Sequence, residues 1–161
     1  MLSRADSNPI TLEALIRMEF EALGTTTVAQ QLNLHGPEIH LQNSIVQALA
    51  LVIHELTTNA LKYGALLTPR GRISIRWNLV DCTPDEAQLR LEWLEERPAS
   101  DPAALEWEHT GYGRELLEHL LPYVLDAKTA YQVTACGARF TMDLPLYIDA
   151  LTHVAKVTPA H

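Results

Sequence analysis

Apolar and polar positions change period several times along this chain, and each change marks an element. From Asn43 or Ser44 to about Tyr63, apolar residues recur at helical spacing, with Ile45, Leu49, Val52, Leu56 and Ala60 on one stripe. The pattern predicts a long amphipathic helix that closes at Gly64. An earlier helix is predicted from Leu12, Leu15, Ile16, Glu19 and Phe20, with Thr11 as its N-cap and Gly24 as its stop. Residues 25–34 alternate and are rich in β-branched side chains, which predicts a strand; His35-Gly36-Pro37 turns the chain, and a short strand over residues 39–41 follows.

In the second half the period shortens to two. Ile73, Ile75, Trp77 and Leu79 alternate with polar neighbours, as do Leu89, Leu91 and Trp93, so residues 72–80 and 87–95 read as a hairpin turned at residues 81–85. Residues 97–110 carry Pro98 and Pro102 without a period and read as a loop. Leu116, Leu117, Leu120 and Leu121 predict a helix stopped near Pro122; residues 129–135 and 138–144 predict a closing hairpin turned at Cys136-Gly137. From Tyr147 the pattern weakens to a trailing helix or tail.

Helix, strands, helix, hairpin, loop, helix, hairpin is not the strict alternation of a doubly wound sheet. It predicts an α+β, two-layer sandwich with helices over one face of a mixed, mostly antiparallel sheet. A length of 161 residues suits one domain, placed at residues 10–146, with residues 1–9 a remnant or linker and 147–161 a tail.

Composition narrows the function classes. With 47% apolar and 20% charged residues the chain resembles a soluble globular protein. A net charge of −8 argues against an extended footprint for nucleic acid or an anionic membrane. Cys82 and Cys136 fit neither a disulfide framework nor a zinc spacing, which suits a reducing cytoplasm. The most apolar stretch, residues 44–56, falls short of a membrane span, and the first residues lack the apolar core of a signal peptide.

Candidate chemistry concentrates in His54-Glu55-Leu56-Thr57-Thr58-Asn59-Ala60-Leu61-Lys62-Tyr63-Gly64. At helical pitch Glu55, Asn59 and Lys62 fall within roughly 60° of one another beside the core-facing stripe. A carboxylate and an amide there could hold a hard cation through oxygen, with a lysine near for phosphate. Asn59 is a poor mid-helix residue among small apolar neighbours, where a solvated face would use Glu, Lys or Gln. His54-Glu55 also opens the H-E-x-x-H pattern of zinc peptidases, but the second ligand would be Asn59, a poor zinc ligand. Gly111-x-Gly113 ahead of a helix is a seat for phosphate, and Arg114 puts a cation where the helix dipole would prefer an acid. Trp93-Leu94-Glu95 ends a strand, so Glu95 could accept from an adenine amino group at the mouth of the sheet, or be an edge residue beside a core Trp93.

Taken together, HELTTNALKYGAL resembles the N box of the HWE family of bacterial sensor histidine kinases, a branch of the gyrase, Hsp90, histidine kinase and MutL ATPase superfamily. Trp93-Leu94-Glu95 resembles that family's Trp-x-Glu motif, GYGRELLEHLLPYVL its second glycine box and GARFTMDLPL its closing strand. The resemblance covers roughly residues 10–146. It implies a Bergerat-type ATP-binding fold and a protein-histidine kinase catalytic domain that presents ATP and Mg²⁺. By position it implies that Asn59 coordinates Mg²⁺, that Glu55 supports that site or orients a water, and that Lys62 contacts phosphate with Tyr63 beside it. Glu95 would recognise adenine, Gly111, Tyr112 and Gly113 would line the lid end, and Arg114 would lie near the phosphates. The implied partners are ATP, a dimerisation domain carrying the acceptor histidine, and a response regulator, in the cytoplasm, with no nucleic acid and no membrane contact by this chain.

Two features depart from the family. Where Trp-x-Glu is usually followed by a residue and Gly-Gly-Pro, this chain has Glu96-Arg97-Pro98, and no glycine occurs between Gly71 and Gly111. Glycine lets backbone approach a nucleotide closely, so the adenine side is expected to be narrower. None of the seven histidines lies in the His-Arg-x-Lys-Asn setting of an acceptor. A degenerate docking module without ATP binding is therefore a second reading. A serine-directed kinase of the same superfamily is a third, opposed by His54 and the Trp-x-Glu motif.

Overall fold

The computed structural model describes residues 9–23, 28–98, 115–134, 136–149 and 154–157. Strand β1 (Ile10–Thr11) leads into helix α1 (Leu12–Glu21), where the Thr11 hydroxyl accepts from the Ala14 N–H at 3.1 Å as an N-cap should. Leu12, Leu15, Ile16 and Phe20 form its buried face. The helix is capped at Ala22, ahead of the expected stop, and Gly24 lies outside the described residues.

Residues 25–34 are not one strand. Val28–Gln31 forms a helical turn (α2), and strand β2 is confined to Leu32–His35. The turn delivers Gln31 to the interior, where its amide donates to the Thr68 and Gly71 carbonyls at 2.8 and 2.9 Å, and this tertiary demand overrides the local β propensity. After β3 (His40–Leu41) comes the long helix α3 (Asn43–Tyr63), capped by Gln42 without a side-chain hydrogen bond rather than by Asn43 or Ser44. Ile45, Leu49, Val52, Leu56 and Ala60 are buried as expected, joined by Ile53 and Thr57. By length and composition α3 could cross a membrane; its apolar stripe instead packs in the core.

A 3₁₀ turn (Ala65–Leu67) follows, then the hairpin β4 (Arg72–Val80) and β5 (Glu86–Glu96). Leu116–Leu120 is a turn of π-helix that runs into α4 (Leu121–Leu125), so Pro122 does not stop the helix. It sits in the first turn of α4, where a missing N–H is tolerated. The hairpin β6 (Lys128–Thr134) and β7 (Gly137–Ile148) turns at Cys136 as expected. The tail holds a further strand, β8 (Val154–Val157), antiparallel to β7 and parallel to β3.

The sheet runs β1-β3-β8-β7-β5-β4-β2, with β6 on the edge of β7 beside β8. Among the described strands, only β2–β4 and β3–β8 pair in parallel. One face carries Ile73, Ile75, Trp77, Leu89, Leu91, Trp93, Phe140, Met142 and Leu144 into a single core with α1 and α3. Among the described residues no helix covers the other face. This is the α+β two-layer sandwich, with α3 laid across the covered face.

Candidate functional site

On α3 the three expected side chains share one flank. Glu55 and Asn59 are half-buried and Lys62 is exposed, and none of these side chains has a hydrogen bond or ion pair among the described residues. Two oxygen-bearing groups and an ammonium are thus held at a fixed helical spacing with their polar atoms uncommitted. Among the described residues no cluster of three His, Cys, Asp or Glu could form a metal cage. The donor set fits Mg²⁺ that takes one or two protein oxygens and completes its shell from water and phosphate, and does not fit an all-protein site.

His54 lies about 140° around the helix from Asn59. It is largely exposed, with Nδ1 3.8 Å from the Glu19 carboxylate of α1. It therefore faces away from the stripe, toward the neighbouring helix.

The spacing of Trp93 and Glu95 has a direct physical basis. Two residues apart on β5, they point to the same side of the sheet, here the helix-covered side. The indole N–H donates to the Glu95 carboxylate at 2.8 Å, while the ring is fully buried and stacks on Phe20 with centroids 5.9 Å apart. The second carboxylate oxygen accepts from the Ala65 N–H at 3.1 Å. Glu95 is 2% exposed, so it faces the interior rather than the open mouth of the sheet. Burial pushes its carboxyl up to about 7; the bonds from Ala65 and Trp93 and the charge of Arg97 pull the other way.

Arg97, at the position where the resemblance leads one to expect glycine, is 5% exposed and donates to the Gly64 carbonyl at 3.4 Å. With Gln31 holding Thr68 and Gly71, three buried polar side chains fasten residues 64–71, the turn that ends α3. Gly71 completes the fit, because a Cβ there would collide with the Ala65 carbonyl. Tyr63, half-buried, is the last residue of α3 before this turn.

The structure thus groups Glu55, Asn59 and Lys62 on one flank and brings Glu95 against the turn after Tyr63. Gly111, Tyr112, Gly113 and Arg114 lie outside the described residues. Gln31 and the anchoring role of Arg97 escaped the sequence reading. The one signal for Arg97 was an arginine two residues after a strand glutamate, where glycine was expected.

No family model matches the chain. It is 32% identical over 134 residues to the blue-light-activated histidine kinase of Brucella abortus (strain 2308), covering 83% of this chain and 24% of that protein. It is 28% identical over 151 residues to the protein of the same name from Brucella anthropi, covering 94% of this chain and 28% of the relative. The chain therefore spans about a quarter of the length of these relatives. Among solved structures it resembles the catalytic domain of histidine kinase ThkA (TM-score 0.56, 13% identity, covering 86% of this chain and 95% of that one). It also resembles the mycobacterial sensor histidine kinase MprB (TM-score 0.55, 13% identity, 94% and 99% covered). A third likeness is to full-length ShkA in complex with AMPPNP (TM-score 0.53, 14% identity, 96% and 32% covered). The chain has the fold of a histidine kinase catalytic domain and is homologous to part of the blue-light-activated histidine kinases.

Proposed function

We propose that this chain is the ATP-binding catalytic domain of an HWE-type sensor histidine kinase, presenting ATP and Mg²⁺ to an acceptor histidine on a dimerisation domain of its parent protein. The phosphoryl group would pass from there to a response regulator in the cytoplasm. The observation that carries this reading is the flank of α3 on which Glu55, Asn59 and Lys62 stand without a hydrogen bond or ion pair among the described residues. The homology to blue-light-activated histidine kinases and the nucleotide bound by the ShkA neighbour support it.

Phosphoryl transfer asks mainly for positioning and charge neutralisation. Asn59 offers an amide oxygen to the metal, and Glu55 holds a second oxygen one turn before it for the metal or its water. Lys62 meets phosphate oxygens from the exposed end of the stripe, beside Tyr63. Mg²⁺, when bound, screens the phosphate charges. Glu95 is assigned to the adenine end by resemblance; its carboxylate is interior and accepts from Trp93 and Ala65. Gly111, Tyr112, Gly113 and Arg114 are assigned to the lid end by resemblance.

Calorimetric titration with a non-hydrolysable ATP analogue, with and without Mg²⁺, tests the reading. Metal-dependent binding is expected, and Asn59→Ala should weaken it roughly tenfold or more. The isolated chain should not phosphorylate itself. Absence of binding at about millimolar nucleotide, near the weak limit of specific affinity, would sink the proposal and favour the docking-module reading, to which the buried Arg97 in place of glycine already lends weight.

A further inference from the structure

Two hydrogen bonds of the buried cluster meet on one peptide unit. The Gly64 carbonyl accepts from the Arg97 guanidinium at 3.4 Å, and the Ala65 N–H, at the other end of the same amide, donates to Glu95 at 3.1 Å. An anion grips the donor end and a cation the acceptor end, so the pair matches the peptide dipole in one orientation and opposes it when flipped. This amide follows directly on Tyr63, the last residue of α3. The Arg97 backbone is itself held, its N–H donating to the Cys136 carbonyl at 2.9 Å.

We propose that Glu95 and Arg97 are positioning residues that clamp the Gly64–Ala65 peptide, fix the carboxyl end of α3, and so set Lys62 and Tyr63 for phosphate. The effect on nucleotide rests on the ATP-binding reading above; the clamp itself does not.

The clamp needs an ionised Glu95. Among the described residues, the groups facing that carboxylate are Trp93 on its own strand, Ala65 from the turn after α3, Ile73 paired from β4 and Ala138 paired from β7, all uncharged. Arg97 is the charge among the described residues that acts on it. Burial sets the carboxyl near 7, so it is ionised above neutrality and protonated below. Protonation converts one acceptor oxygen into a donor and removes the carboxylate charge that the Arg97 cation favours. The clamp should loosen as pH falls through neutrality.

The Ala65 amide resonance of the full chain, followed by heteronuclear NMR without nucleotide, reads the clamp directly. A titration step near neutrality is expected in the wild type. Glu95→Gln should abolish it, Arg97→Met should move it to higher pH because the cation no longer favours the carboxylate, and Arg97→Lys should leave it near the wild-type midpoint. Affinity for AMPPNP with Mg²⁺ reads the positioning. Phosphate titration of the nucleotide is common to all variants, so the readout is the ratio of wild-type to Glu95→Gln affinity, which should fall by roughly tenfold from about pH 8 to about pH 6. Absence of a step at Ala65 in the wild type, or the same midpoint in Arg97→Met, overturns the clamp. A step at Ala65 with an affinity ratio independent of pH overturns the positioning role. Nucleotide binding without a step leaves the ATP reading standing and removes the clamp; a step without nucleotide binding at any pH does the reverse and, with no phosphate to meet, removes the positioning role as well.

Discussion

Strand β5 carries two glutamates three residues apart under opposite conditions. Glu92 points to the open face, where Arg139 of β7 reaches it at 2.6 Å with the arginine side chain still about half exposed. One strand position further along that face, Arg90 meets Asp143 through two contacts of 2.9 and 3.3 Å. Glu95 points to the covered face, is 2% exposed, and is held near 7 by burial against the pull of Arg97 and two N–H donors. Pairs on the open face are solvated and screened, and their individual worth is small. A carboxylate withdrawn from water is a large term that an apolar residue of similar volume would avoid. The surface ladder therefore needs no explanation beyond register and solubility, whereas the buried cluster calls for one. Strongly perturbed carboxyls beside a cleft element are enriched at functional sites, and the turn after α3 is where this one acts.

Removing one half of the buried cluster should produce one of the two largest effects. Glu95→Ala leaves the Ala65 N–H and the Trp93 indole N–H without their buried acceptor and should destabilise the chain by about 2–4 kcal/mol in urea unfolding. A double-mutant cycle of Glu95→Ala with Arg97→Met should give a coupling of about 0.5–3 kcal/mol, since both side chains hold the Gly64–Ala65 amide. Strictly additive effects would contradict the view of the cluster as one unit. The other effect of this size concerns pH. The folded-state carboxyl of Glu95 lies near 7, above its ordinary 4.5. The folded chain thus holds a proton that the unfolded chain has released between these values. Stability from this group is fully present below about 4.5 and is lost as pH rises through 7, by roughly 3–4 kcal/mol in all. Wild type and Glu95→Gln compared by unfolding at several pH values should show that slope in the wild type alone. The clamp is thus made in the pH range where this residue no longer favours folding, so stability and site geometry draw Glu95 in opposite directions.

Much of this was legible from residue order, because periodicity reports which face of an element is buried. Ile45 to Ala60 at helical spacing located α3, and the period of two in residues 72–80 and 87–95 located the β4–β5 hairpin. The same rule puts Trp93 and Glu95 on one face. What it does not carry is the depth of burial, which depends on α1 and the turn after α3 closing over β5. For that reason Glu95 reads as a residue at the sheet's mouth or at the hairpin's edge, whereas it is interior and accepts from the N–H of Ala65, thirty positions away. The helical turn at Val28–Gln31 escaped for a related reason. Its driver is a pair of hydrogen bonds from Gln31 to carbonyls 37 and 40 residues distant, and no local pattern encodes those. Strand β8 was missed because four residues beside a weak pattern carry little periodic signal, and their pairing with β3 and β7 decides the outcome. The flank of Glu55, Asn59 and Lys62 was the most legible part of the candidate site, since one helix fixes all three.

The smallest effect belongs to the open face. Arg139 and Glu92 sit on adjacent strands, not directly opposite, with Thr141 the register partner of Glu92 and Leu94 that of Arg139. The guanidinium therefore crosses diagonally and contributes its Nε and terminal nitrogen to one carboxylate oxygen. Such a contact fixes two long side chains in one geometry and gains modest Coulomb energy in water. A double-mutant cycle of Arg139→Ala and Glu92→Ala should give a coupling of about 0.2–1 kcal/mol, and raising salt to about 1 M, where screening acts over roughly 3 Å, should shrink it further. The same salt step should leave the Ala65 titration midpoint nearly unmoved, because screening ions do not enter the interior around Glu95. A coupling at Arg139–Glu92 as large as that at Glu95–Arg97 would erase the distinction between the two faces; a salt-sensitive midpoint at Ala65 would show that the cluster is open to water.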